Sequence, residues 1–169
     1  MFNDLSKRVC AIKPSPTLAV SKLAGQLRAQ GRDIVGLGAG EPDFDTPKHI
    51  RDAAIAAING GDTHYTAVDG TVALKQAIID KFKRDNDLAY SADQILVSSG
   101  GKQSFFNLCQ AVINPGDEVI IPAPYWVSYP DIVILAEGVP VIIHAGIDQG
   151  FKLTAAMLEG AITPKTRMV

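Results

Sequence analysis

Cysteine is scarce in this chain of 169 residues: Cys10 and Cys109 are the only two. They lie far apart and form no CxxC pair, which leaves neither a disulfide framework nor a thiolate metal site to read. They read as reduced, inert thiols, as expected of a cytoplasmic protein. The three histidines, His49, His64 and His144, are scattered without zinc-ligand spacing. No run of 18 apolar residues occurs, so no transmembrane helix is expected. The opening residues Met1 to Arg8 lack the apolar stretch of a signal peptide. Charge of neither sign dominates, with 16 basic and 18 acidic residues and a formal net charge of −2. That balance gives no reason to expect nucleic acid or an anionic membrane as partner. What is present is an ordinary globular composition, 47% hydrophobic and 20% charged. The length suits one domain with a sizeable core. No internal repeat or low-complexity segment is found.

Along the chain, residues 1–14 are polar and irregular and read as an arm. Ser15 and Pro16 suit the cap and first turn of a helix that Gly31 can end. Residues 34–37 read as a short strand. Thr46-Pro47 opens a second helix with Ile50, Ala53, Ala54, Ala57 and Ile58 as its buried stripe, stopped by Gly60-Gly61. Residues 71–86 form a further helix whose basic face, with Lys75, Lys81, Lys83 and Arg84, reads as solvated. From Ile95 the pattern alternates: strand 95–98, helix 102–113, strand 118–122, helix 126–137, strand 139–144, helix 154–162 and an incipient strand at Arg167. Strands separated by helices of this length predict an α/β protein with a mainly parallel sheet and right-handed crossovers. No further apolar residues complete the last strand, which predicts the front part of a longer protein.

The stretch from Ile95 to Leu108 organises the rest. An apolar strand runs into Ser98-Ser99-Gly100-Gly101, and a helix follows from Lys102. A glycine turn feeding a helix N-terminus brings backbone N–H groups and the helix dipole to bear on an anion. Such a turn can equally be structural. Neither GxxxxGK[ST] nor GxGxxG is present, which argues against a nucleotide-binding α/β domain.

Four motifs in order raise the phosphate reading. Ser98 to Gln103, Asn114 to Tyr129 with its Pro-Ala-Pro-Tyr-Trp core, Gly38 to Pro47, and Tyr65 to Gly70 together resemble class I pyridoxal-phosphate-dependent aminotransferases. The bacterial aspartate branch, some members of which accept prephenate, is the most similar. The resemblance runs from about Leu5 to Val169. It implies the start of a fold type I pyridoxal-phosphate transferase, with residues 1–45 as arm, helix and small-domain segment and 46–169 as the first part of the large domain. It implies pyridoxal 5'-phosphate as cofactor, an amino acid and a 2-oxo acid as substrates, and a homodimer.

The resemblance also assigns residues. Gly101 and Lys102 offer backbone N–H groups to the cofactor phosphate, and Gly100 permits the turn. Trp126, the only tryptophan, matches the residue that stacks on the cofactor ring and contacts substrate. Read by itself it is equally a core aromatic at a helix start. Tyr65 matches a tyrosine that reaches the phosphate of the partner subunit, where a loop tyrosine would otherwise read as a surface anchor. Gly40 matches a glycine whose N–H contacts a substrate carboxylate, and the local alternative is a tight turn. Lys13 stands where prephenate-accepting relatives carry a lysine at the substrate mouth, or else is a solvated lysine on the arm. Tyr125 and Tyr129 read as packing residues.

The family's Schiff-base lysine, its pyridine-pairing aspartate and its carboxylate-binding arginine match nothing here. The expectation is that the parent protein is an aminotransferase and that these 169 residues alone do not catalyse transamination. Lyases and cyclopropane-forming synthases share the fold. The competing reading is a non-catalytic phosphate-ligand-binding module, or a split enzyme needing a separate C-terminal polypeptide.

Overall fold

The computed structural model describes residues 5–38 and 40–169. Two compact units are formed: one by the stretches up to Gly38 and from Gly100 onward, the other by Ala39–Ser99.

The first unit holds the sheet. A short helix α1 (Lys7–Ala11) stands where an irregular arm was expected, because Ser6 caps it by accepting from the Val9 N–H at 3.3 Å. Helix α2 (Pro16–Ala29) starts as its sequence predicts, with the Leu18 N–H donating to Ser15 Oγ at 3.5 Å and Pro16 in the first turn. After helix α5 (Gly101–Val112) come strand β1 (Glu118–Ala123), helix α6 (Ser128–Leu135), strand β2 (Val139–His144), helix α7 (Ala155–Ala161) and strand β3 (Thr166–Met168). The strands are parallel in the order β2-β1-β3. Glu118 is level with Val139 and Ala123 with His144. Helix α6 is shorter than residues 126–137 predict. Glu137 takes a left-handed φ of 64°, and the Gly138 N–H donates to Val133 O at 3.0 Å, which closes the helix.

Central strand β1 is buried on both faces, as a parallel strand must be. Val119 and Ile121 join Cys109 and Ile113 near the end of α5, Ile132 and Val133 of α6, and Ala136 just after it in one core, with Ile142 and Met168 at its edge. Each fully buried aliphatic side chain there contributes about 1.5–3 kcal/mol relative to exposure. Gly138 sits under this core by necessity, since a Cβ would lie 2.8 Å from Ile113 Cγ2 and 3.0 Å from Val133 Cγ1.

The second unit carries α3 (Lys48–Asn59) and α4 (Val72–Asn86). Three expectations are corrected in the two units. Residues 34–37 and 95–98 form no strand. Their residues are good β-formers, but a strand exists only with a ladder partner, and the Val97 N–H goes instead to Asp69 O at 3.0 Å. The stripe on α3 is apolar yet uncovered: Ile50, Ala53, Ala54, Ala57 and Ile58 are all exposed, and none of the helix's residues is buried. The basic face of α4 is not all solvated, because Lys75 is buried.

Candidate functional site

Gly100 turns with φ 90° and ψ 166°, a conformation open essentially to glycine alone, and α5 begins at the next residue. Its carbonyl takes the first bonds of the helix, from the N–H groups of Gln103 at 3.1 Å and Ser104 at 3.3 Å. The N–H groups of Gly101 and Lys102 precede the first residue that can bond back along a helix, so they face outward at the positive end of the dipole. A Cβ built on Gly100 or Gly101 would meet open space. The turn therefore leaves a bare backbone cradle in front of α5.

One wall of this cradle is aromatic. Lys102 Nζ lies 4.7 Å from the centroid of the Trp126 ring, a cation–π contact. Trp126 follows β1 by three residues and is 43% exposed, which excludes a purely core role. Its other contact fixes it from behind. The ring meets Tyr129 edge-on at 5.5 Å, and Tyr129 meets Phe105 edge-on at 5.0 Å. Tyr129 thus packs as expected, and the chain of rings ties Trp126 through the first turn of α6 back to α5 and the core. The carboxyl end of β1 leads into this wall, and the carboxyl ends of strands are where open parallel sheets bind ligands.

Lys13 lines a cleft of 320 Å³ together with Tyr125, Val127 and Asp131. Gly100, Gly101, Lys102 and Trp126 are therefore brought together, and Lys13 shares its cleft with the residue that precedes Trp126. Gly40 and Tyr65 belong to the unit of residues 39–99, where both are exposed. Among the described residues, no group of three or more His, Cys, Asp or Glu side chains could hold a metal ion. No helix among them is long and apolar enough to cross a membrane.

Sequence reasoning missed an ion pair. Lys75 Nζ donates to Asp69 Oδ2, and this bond holds the Asp69 carboxyl below the usual carboxylate range. The signal was there in principle: Asp69 stands two residues before the helix cap Thr71 and Lys75 four residues after it, a spacing that lets the lysine reach back over the first turn.

These observations define an α/β protein with a parallel sheet and a glycine turn at a helix N-terminus faced by a tryptophan. This chain belongs to the family of aminotransferases of class I and II, which matches residues 32–169. It is 69% identical over 164 residues to the aspartate/prephenate aminotransferase of Nitrosomonas europaea, covering 97% of this chain and 41% of that protein. Against the aspartate/prephenate aminotransferase of Cereibacter sphaeroides it is 58% identical, covering 96% and 41%. Among solved structures it superposes on the aspartate aminotransferase of Rhizobium meliloti with a TM-score of 0.91 at 51% identity, covering 96% of this chain and 41% of that one. The aspartate aminotransferase of Thermus thermophilus with maleate gives a TM-score of 0.93 at 48% identity, covering 97% and 43%. The chain thus spans about two fifths of the length of these relatives. The α/β fold expected from the resemblance, that of the first part of these pyridoxal-phosphate transferases, is the fold observed.

Proposed function

We propose that these residues form the N-terminal part of a pyridoxal-phosphate-dependent aminotransferase that exchanges an amino group between an amino acid of the aspartate or glutamate type and a 2-oxo acid. The observation that carries this reading is the open Gly100-Gly101 cradle walled by Lys102 and Trp126. Its donors suit a phosphate and its exposed indole suits a flat ring. When bound, pyridoxal phosphate supplies the electron sink for amino transfer, and the protein supplies binding and orientation.

In this reading the N–H groups of Gly101 and Lys102 hold the cofactor phosphate, with Gly100 making the turn. Trp126 lies against the cofactor ring and donates its indole N–H toward substrate. The ammonium of Lys102, held beside the indole, favours a substrate bearing a second carboxylate. Lys13 adds positive charge at the mouth, and the Gly40 N–H takes a substrate carboxylate. Tyr65, exposed on its loop, serves the phosphate of a partner subunit in a homodimer. Residues 1–45 belong to the arm and small-domain segment of the whole enzyme, and 46–169 to its large domain. The lysine that would anchor the cofactor covalently comes from outside these residues, and the enzyme works in the cytoplasm. The dicarboxylate maleate in the similar Thermus structure supports the acidic substrate.

Titration with pyridoxal phosphate, followed by the fluorescence of Trp126, tests this. A saturable change is expected with pyridoxal phosphate and none with NAD. Gly101→Ala should stabilise α5 by about 0.5–1 kcal/mol, since alanine replaces glycine in a helix. The same change should weaken cofactor binding by about tenfold, or 1.4 kcal/mol, by placing a methyl in the cradle. Equal responses to both ligands, or a Gly101→Ala variant that binds as well as the parent, would sink the assignment. Borohydride treatment of the 169-residue chain with pyridoxal phosphate should give no stoichiometric adduct on a single lysine. Such an adduct, together with amino transfer, would refute the claim that the anchoring lysine lies elsewhere.

A further inference from the structure

Lys75 is the only buried charged residue among the described residues, and the chemistry proposed above does not use it. An ammonium removed from water is costly unless paired, and its partner here is Asp69. Three further contacts close around that pair. The Val97 N–H donates to Asp69 O at 3.0 Å, and the Gly70 N–H donates to Ala67 O at 3.1 Å. Gly70 adopts φ 107°, and a Cβ there would lie 2.6 Å from Val97 Cγ2 and 3.8 Å from Lys75 Cγ. The stem of Lys75, the bare Gly70 and the side chain of Val97 are therefore stacked. The Asp69 residue is held at both ends, by its carboxylate on Lys75 and by its carbonyl on Val97. Tyr65 lies four residues upstream on the same loop and is fully exposed, so packing within the described residues does not hold its ring. Among the described residues, the anchored end of its loop is what can position Tyr65.

We infer that Lys75 is a positioning residue: through its ion pair with Asp69 it fixes the 65–70 loop so that Tyr65 is presented to an anionic phosphate, here the cofactor phosphate. This inference rests on the role given to Tyr65 in the proposed function.

The test uses the complete enzyme that carries these residues. Lys75→Met keeps the apolar stem and removes the charge. Asp69→Asn alters the half-exposed partner and serves if the buried substitution does not fold. Each should weaken pyridoxal phosphate binding and speed amide hydrogen exchange across residues 65–70, both by about tenfold, while exchange in β1 and α5 stays unchanged. Lys75→Arg should return both readings to within about threefold of the parent, because the charge is restored. The decisive measurement is a cycle with Tyr65→Phe. If Lys75 acts through Tyr65, the loss from Tyr65→Phe shrinks in the Lys75→Met background. Additive losses, or unchanged exchange in the loop, would overturn the inference and leave the proposed function standing. A parent enzyme that binds no pyridoxal phosphate would overturn the proposed function and the role of Tyr65 together.

Discussion

Cys10 and Cys109 share a side chain and little else. Cys10 is exposed on α1, whereas Cys109 is fully buried among Ile113, Val119 and Val133. Burial raises the Cys109 thiol above its usual range, since the thiolate has no solvation there. Iodoacetamide on the native chain is therefore expected to modify Cys10 and spare Cys109, with both labelled in denaturant, as mass spectrometry of the peptides would read. Labelling of Cys109 at the rate of Cys10 would contradict the packed core. At this scale the sequence was informative wherever chemistry and backbone coincide. Gly100 stands out because the turn before a helix needs it, Gly101 because it follows directly at the helix start, and Trp126 because it is unique. Lys75 was misread because it falls in a run of basic residues on one helix, and its burial depends on Asp69, Gly70 and Val97 converging from two other stretches.

Elements were legible in proportion to how locally they are determined. Helix starts were legible where a side-chain cap forms, since such a cap is a contact over three residues. Helix α3 instead starts after Pro47 with no side-chain cap bond, against the expectation from Thr46-Pro47, and α1 was not foreseen. Ser15, Thr71 and Thr154 each accept from the N–H three positions on, at 3.5, 3.3 and 3.3 Å. Thr71→Ala is expected to destabilise α4 by about 1 kcal/mol, and Thr71→Ser by far less, because serine retains the accepting oxygen. Thermal unfolding of the three proteins would read the difference. Equal melting temperatures would mean that the Thr71 contact adds nothing in water. Strands were legible only when a partner exists. Residues 95–98 and 139–144 have the same β-forming character, yet only the second finds a neighbour, Glu118–Ala123. Propensity describes a surface that fits a sheet and says nothing of whether a sheet edge is waiting. The same limit applies to α3, whose stripe is amphipathic by sequence and uncovered in its own unit.

For the whole molecule, the two units differ in where the largest apolar core and the shifted carboxyls fall. The sheet unit is held by the apolar core between α5, α6 and β1. The carboxyls held below their usual range, Asp69 by Lys75, Asp85 by Arg84 and Asp93 by the Ser91 hydroxyl, all fall within the unit of residues 39–99. Each ionises more readily folded than unfolded, so its contribution is complete above the unfolded carboxylate value of about 4 and fades as pH falls through the lower folded value. Residues 39–99 are thus expected to loosen first on acidification. Brief pepsin digestion between about pH 3 and 4 should cut there before it cuts within residues 100–169. Simultaneous cleavage in both would show that the paired carboxylates contribute nothing selective.

The sheet unit is also discontinuous, its first part ending at Gly38 and its second starting at Gly100. Helix α1 packs against α6, yet the two are separated by most of the chain. On a ribosome adding about 5–20 residues each second, α1 emerges on the order of ten seconds before the surface that receives it. During that interval α1 has no finished surface to pack against, so it stays open to chaperones and proteases until α6 has been made.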